Sequence, residues 1–251
     1  AQESRGLGDV YKRQAPAQVF SIVLSDILGD PLDMIASGPA VPDTSTCAQA
    51  LAVAEKYHLA LSAQARALLA QETPKTLDNV TTRITGSVRQ LCAAASETCQ
   101  TLGYTPVVLT ASLACEAREA GAFLGAVAQY HQDSARSLAF IAGGETVVHL
   151  TGTGKGGRNQ EIALAGAKLL DGLTGTALFS LGSDGTDGPT DAAGGIVTGE
   201  TAGTLREAGV DIDRVLKDND AYHALAKADG LIFTGPTGTN VNDLTVLLIR
   251  R

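Results

Sequence analysis

Apolar and polar positions along this chain fall into blocks whose lengths separate strands from helices. "QVFSIVLSD" (18–26) is a short continuous apolar run that breaks into a polar loop, the pattern of a buried strand, apolar on both faces, which this chain is expected to leave partly exposed. The glycine- and proline-rich "GDPLDMIASGPAVPDTST" follows, a loop long enough to suggest function beyond connection. Thr44 or Ser45 can cap a helix through "CAQALAVAEKY", and Ser62 opens "SAQARALLAQE". "SVRQLCAAASETCQTLG" predicts a longer helix closed by Gly103. "TPVVLT" (105–110) predicts a second strand, followed by the alanine-rich helix "ACEAREAGAFLGAVAQYH". This helix–strand–helix order predicts an open α/β sheet.

The polar stretch "HQDSARS" separates that half from a more strand-rich one, and two α/β domains split near 131–137 are expected, 15–134 and 135–251. "LAFIAGG" and "TVVHLTG" flank Gly143-Gly144-Glu145 and predict a hairpin or two adjacent strands. The glycine loop "GTGKGGRNQE" (152–161) leads into a helix that places Ile162, Ala165 and Leu169 on one face. "TALFSLGSDG" predicts a strand running into a loop, and "DRVLKDNDAYHALAKA" a single helix. "LIFTGPTGTN" repeats the plan of strand then glycine loop before the last strand, "LTVLLI". The opening "AQESRGLGDVYKRQ" has neither period. "DVYKRQ" is what GAT GTG TAT AAG AGA CAG encodes, the end of a transposon adaptor used in sequencing libraries, so residues 1–14 are set apart from the fold.

Composition narrows the functional classes. A chain of 251 residues that is 44% hydrophobic can bury one large or two medium cores. Its net charge of −8, without a basic stripe or a tryptophan, argues against a nucleic-acid partner. No apolar run approaches the ~20 residues of a membrane span, so a cytoplasmic protein is expected. Cys47, Cys92, Cys99 and Cys115 contain no CxxC pair and predict free thiols rather than a zinc site.

Four loops could carry chemistry. In the first, Gly154, Gly156 and Gly157 permit close backbone approach at a helix N-terminus, with Lys155 and Arg158 adding charge. The residues allow either an anion site or a tight structural turn. Neither the Walker A spacing nor a dinucleotide fingerprint is met. In the second, "GSDGTDGPTDAAGG", Asp184, Asp187 and Asp191 could hold Mg²⁺ or brace the loop through Asx turns. The third offers Thr237, Thr239 and Asn240 as neutral hydrogen-bonding groups. The fourth puts Asp26 at the carboxyl end of the first strand, where it could be a base, a metal ligand or a brace, and Glu145 completes the acidic set.

"SDILGDPLDMIASGPAVPDT", "GGETVVHLTGTGKGGRNQE", "GSDGTDGPTDAAGG" and "GPTGTNVNDL", in this order, resemble the glycerate 2-kinase family, whose C-terminal half is called the MOFRL domain. The resemblance covers residues 18–251. It implies ATP- and Mg²⁺-dependent phosphorylation of D-glycerate at its 2-hydroxyl. It also implies a two-domain α/β fold, a truncated Rossmann-like N-terminal domain plus an α/β MOFRL domain, with the active site in the interdomain cleft. The arginine that the family's GGRNQE motif uses in catalysis falls on Arg158. The family's catalytic lysine and glycine- and serine-rich loop have no counterpart here. Both would precede residue 15, so a C-terminal portion of a kinase, inactive alone, is expected. On this reading Arg158 and Lys155 cover phosphate charge beside Gly156, Gly157, Asn159 and Glu145, while Asp184, Asp187 and Asp191 hold Mg²⁺. Thr237, Thr239 and Asn240 meet hydroxyls of glycerate or nucleotide, and Asp26 orients the attacking hydroxyl. A homodimer is compatible with it. Two alternatives stay open: an NAD(P)H-dependent hydroxypyruvate reductase and a non-catalytic anion-binding fragment.

Overall fold

Capping chemistry fixes where the helices begin. In the computed structural model, which describes residues 17–251, Thr46 accepts a hydrogen bond from the Gln49 N–H while the Gln49 side chain accepts one from the Thr46 N–H. This reciprocal box starts the first helix one residue beyond the expected caps, and Ser45 instead donates to Asp43. Ser62 caps the second helix through the Ala65 N–H, as its sequence predicts. The stretch 1–14, assigned above to an adaptor, lies outside the described residues.

The elements run β1 (Val19–Leu24), α1 (Cys47–Lys56), α2 (Ala63–Leu69), β2 (Val80–Gly86), α3 (Val88–Thr101), β3 (Thr105–Leu113), α4 (Ala117–Tyr130) and β4 (Leu138–Gly144). There follow α5 (Arg158–Leu170), β5 (Thr176–Gly182), β6 (Gly194–Thr198), α6 (Thr201–Glu207), α7 (Ile212–Lys217), α8 (Ala221–Lys227), β7 (Leu231–Ile232) and β8 (Asp243–Ile249). They form two compact units, one reaching Val23 and including Asp30–Thr85, the other comprising Leu24–Gly29 and Gly86–Arg251. The division near residue 85 differs from the one read at 134/135. The reason is hydrogen bonding: β3 pairs with β4 across the polar stretch and so belongs to the same sheet.

In the first unit, β1 pairs with β2, and α1 and α2 lie between them in sequence. β1, apolar on both faces and expected to be left partly exposed in this chain, is so: Phe20 and Ile22 are 74% and 76% exposed, while Val19, Ser21 and Val23 are half-buried. One face of this strand is uncovered among the described residues. β2 escaped the sequence reading because "VTTRITG" carries threonine and arginine where a buried strand would be aliphatic.

The second unit is built on a six-stranded mixed sheet in the order β3-β4-β8-β5-β6-β7, parallel only at β3/β4. β4 is buried along its whole length, and its residues alternate between two cores. Ala139 and Ile141 meet Val88, Cys92 and Cys99 of α3, whereas Leu138 and Phe140 join Leu124 of α4 and Leu164 and Leu170 of α5. The sheet is therefore sandwiched by α3 on one face and by α4 and α5 on the other.

α5 is buried almost all round, not along one stripe. α4 approaches it through glycine. A Cβ on Gly121 would stand 2.2 Å from the Ile162 carbonyl oxygen, and one on Gly125 would stand 2.6 Å from Leu169 Cβ. Two further expectations need correction. "TVVHLTG" forms no strand; Val147 makes a single bridge to Glu116, and the chain then runs as a loop. The helix read across "DRVLKDNDAYHALAKA" is broken into α7 and α8 at Asn219, whose φ of 57° is left-handed. The four cysteines are free thiols, with Cys115 exposed.

Candidate active site

The first five amides of the glycine loop before α5 are taken by the protein itself. The N–H groups of Thr151 and Gly152 donate to Asn219 Oδ1 at 2.8 and 3.0 Å, and Thr153 donates to Asp218 Oδ1 at 3.1 Å. Gly154 donates to the Asp218 carbonyl at 2.8 Å and Lys155 to Asp220 Oδ1 at 2.9 Å. Five consecutive amides are thus taken by the turn between α7 and α8. The glycines make that approach sterically possible, since a Cβ on Gly152 would lie 2.3 Å from Asp218 Cα and one on Gly154 would lie 2.4 Å from Asp220 Cβ. Lys155 turns away from the loop and places Nζ 4.1 Å from the centre of the Tyr222 ring, a cation–π contact.

At the start of α5 the cap comes from across the fold. Asp187, 2% exposed, accepts hydrogen bonds at Oδ1 from the Asn159 N–H (3.1 Å) and Nδ2 (3.2 Å), and at Oδ2 from the Gln160 N–H (2.9 Å). These are the orphan donors at the second and third helical positions, and a carboxylate there also meets the positive end of the helix dipole. Burial raises the Asp187 carboxyl from its ordinary 3.8 to about 6, against the lowering effect of the hydrogen bonds it accepts. Gly157 lets the carboxylate in: a Cβ there would lie 2.3 Å from Asp187 Cγ. The amides of Gly156, Gly157 and Arg158 remain without a partner among the described residues.

Arg158, the first residue of α5, is held like a fork. Nε donates to Asp243 Oδ2 at 2.5 Å and Nη2 to Asp243 Oδ1 at 3.0 Å, while Nη1 lies 3.6 Å from Glu145 Oε1. Asp243 is 4% exposed at the head of β8, and its hydrogen bond holds the guanidinium above its ordinary pKa against partial burial. Asn242, left-handed at φ 67°, donates from Nδ2 to the Asp26 carbonyl at 2.8 Å and to Glu145 Oε2 at 3.3 Å. The loop after β1 and the end of β4 are thereby tied to one side chain.

A cavity of about 700 Å³ opens between these groups. Its walls include Leu28, Val147, Val148, Leu150 and Pro189, with Arg158 and Glu145 as its charged members beside the buried Glu161. Of the residues assigned from sequence, Glu145, Gly156, Gly157 and Arg158 line it.

The rest lie elsewhere, for physical reasons. Asn159 is buried, its Oδ1 accepting from Ser180 and its Nδ2 donating to Asp187, so it braces and does not reach ligand. Asp184, Asp187 and Asp191 do not converge. Asp184 accepts from the Thr186 N–H, Asp187 caps α5, and Asp191 accepts from the Tyr222 hydroxyl at 2.7 Å. Among the described residues no three such side chains form a metal-binding group, and the three-carboxylate Mg²⁺ site is set aside. Thr237 donates to the Ser183 carbonyl, Thr239 donates its N–H to Thr237, and Asn240 accepts from the Asn242 N–H; this loop braces the one after β5 and does not line the cavity. The Asp26 side chain is exposed, also off the cavity wall.

Asp243, Asn219 and Glu161 were missed by the sequence reading. Only Asp243 left a signal: an acidic residue directly before a fully apolar strand must be buried with a partner.

Comparison with known proteins gives the family. The MOFRL family matches residues 138–243, and a domain of unknown function, DUF4147, matches residues 5–70. A glycerate kinase of Macaca fascicularis is 33% identical over 97% of this chain and 75% of its own length. The chain belongs to the glycerate 2-kinase family. Within that family, a D-glycerate 2-kinase of Thermotoga maritima is 51% identical over 96% of this chain. The crystal structure of glycerate kinase from Thermotoga maritima superposes with a TM-score of 0.92, at 51% identity, over 96% of this chain and 60% of that one. The chain thus spans about three-fifths of the length of this glycerate 2-kinase relative (59%). No described helix is long and apolar enough to cross a membrane.

Proposed function

We propose that these residues carry the phosphate-handling side of an ATP-dependent kinase that phosphorylates D-glycerate at its 2-hydroxyl, giving 2-phosphoglycerate. The observation that carries this reading is the Arg158 fork, fixed by buried Asp243 on the wall of a cavity whose volume suits a nucleotide. Phosphoryl transfer needs positioning and charge neutralisation more than covalent help. With Nε and one Nη2 hydrogen committed to Asp243, the guanidinium is immobilised, and the two hydrogens on Nη1 and the second on Nη2 are left to meet phosphate oxygens as charge moves onto the leaving group. The amides of Gly156, Gly157 and Arg158 add donors at the positive end of α5. Glu145, beside the guanidinium, sets where an anion can sit by repelling it from one side.

Mg²⁺ enters this reading as the companion of the nucleotide phosphates, not as an ion caged by the acidic loop. The role of orienting the acceptor hydroxyl stays with Asp26, whose backbone is held through Asn242 and whose exposed side chain lies off the wall of the Arg158 cavity. A cytoplasmic location, where ATP is available, goes with this reading.

The test uses a fusion that supplies the remainder of the Thermotoga maritima chain. ADP release that requires both ATP and D-glycerate is expected, with 2-phosphoglycerate identified by phosphorus NMR. Consumption of NADPH with hydroxypyruvate, and no phosphoryl transfer, would replace the kinase reading with the reductase.

A further inference from the structure

The cavity beside Arg158 contains two buried polar atoms that no described residue satisfies. Glu161 is 1% exposed; its Oε1 accepts from Asn219 Nδ2 at 2.8 Å, and its Oε2 has no hydrogen-bond partner. Thr146 is 4% exposed, and its Oγ1 is likewise unpartnered. Both residues line the cavity, one from the first turn of α5 and the other from the segment after β4. An orphaned buried carboxylate oxygen costs folding free energy, so its retention points to a donor that arrives with a ligand.

The walls around the pair are aliphatic: Leu28, Val147, Val148, Leu150 and Pro189. Leu150 is 81% exposed and Val147 50% exposed, so apolar surface stands open to solvent at the cavity. Branched aliphatics suit the faces of a flat heterocycle, and the polar pair suits its edge. A carboxylate oxygen can only accept, whereas a hydroxyl can donate. Adenine presents that complement, with an exocyclic amine that donates and adjacent ring nitrogens that accept. A 6-oxo purine presents an acceptor where the amine would be, and would face the carboxylate acceptor to acceptor.

We infer that Glu161 and Thr146 form the base-reading end of this cavity and select a 6-aminopurine over a 6-oxopurine. This rests on the nucleotide reading of the cavity given above. Glu161 is a specificity residue here and takes no part in the transfer itself. Asn219 takes Oε1, so Oε2 is the oxygen left without a donor.

Equilibrium binding of ADP and of inosine diphosphate to the chain, by calorimetry, tests the assignment without any turnover. The wild type should prefer ADP by about tenfold to hundredfold, the range of one hydrogen bond to a charged group. Glu161→Gln keeps an oxygen for Asn219 and places an amide donor where Oε2 was, so the preference should narrow or reverse toward inosine diphosphate. Thr146→Val, of equal shape, should weaken ADP severalfold. Equal weakening of both nucleotides by Glu161→Gln, or an unchanged ratio, would overturn the base-reading role and leave the cavity as a nucleotide site. Failure of the wild type to bind either nucleotide would overturn the nucleotide reading itself.

Discussion

Gly157→Ala separates a packed cap from a phosphate cradle. Gly157 sits at φ −142°, ψ 176°, a backbone conformation open to alanine, so the substitution introduces no backbone strain. Its Cβ, however, would lie 2.3 Å from Asp187 Cγ and 2.4 and 2.5 Å from its two carboxylate oxygens. No carboxylate rotation about Cγ relieves a clash with Cγ itself, so Asp187 must withdraw from the end of α5. Losing an N-cap costs about 0.5–2 kcal/mol, and each buried donor left unpaired costs about 1–3 kcal/mol. Three donors converge on Asp187: two amides and the Asn159 side chain. Partial relaxation and the gain of about 0.4–1 kcal/mol from replacing glycine reduce the sum. A net loss of about 2–3 kcal/mol is expected, and at about 2–4 °C per kcal/mol for a unit of this size the melting temperature should fall by roughly 4–12 °C. Circular dichroism melts of Gly157→Ala beside Gly156→Ala provide the assay. A Cβ on Gly156 meets nothing closer than 3.2 Å, which shifts of a few tenths of an ångström relieve, so that variant should lose much less stability than Gly157→Ala. A Gly157→Ala protein that melts within a degree of wild type but binds ADP more weakly would refute the packing argument and leave Gly157 needed only for the proposed phosphate contact.

The other expectations follow from the same contacts. In the fusion enzyme, Arg158→Ala should lower kcat by about 10²–10³, and Arg158→Lys should not restore it because one ammonium cannot reproduce the fork on Asp243; unchanged steady-state kinetics would remove Arg158 from the transfer. Asp187→Asn should leave the nucleotide's Mg²⁺ requirement unchanged while altering stability against pH. The folded carboxyl is raised to about 6, so its contribution is fully present below 3.8 and is lost as pH rises through about 6; wild type should show this decline relative to Asp187→Asn in melts between pH 4 and 7. Asn219→Gly keeps the left-handed turn but drops the acceptor of two loop amides and the partner of Glu161, whereas Asn219→Ala also strains the turn; melts should rank wild type above Gly and Gly above Ala, and an Ala variant as stable as Gly would show that the turn carries no strain.

Much of the scaffold is local and therefore legible in the sequence. The cap at Ser62, the helices before and after β3, and the apolar runs of β4, β5 and β8 follow from periodicity and capping chemistry that act over a few residues, while the first helix begins at Thr46, one residue past its expected caps. The four glycine-bearing loops were also legible as functional candidates, and Arg158 was singled out among them. The partners of those loops were not. Glycines at 152, 154 and 157 announce a close approach, but a sequence cannot say whether a phosphate or the protein's own chain makes it. Here Asp218, Asn219, Asp220 and Asp187 do, from residues 30 to 67 positions away. The same holds for the acidic loop, where close spacing concealed three different fates: an Asx turn, a helix cap and a tyrosine partner. Residue type and spacing determine what a side chain can do. Which of its options is taken depends on the groups that tertiary folding brings within 3 Å, and on burial, which alone turned Glu161 and Thr146 from ordinary helix and loop residues into unpaired groups facing a cavity.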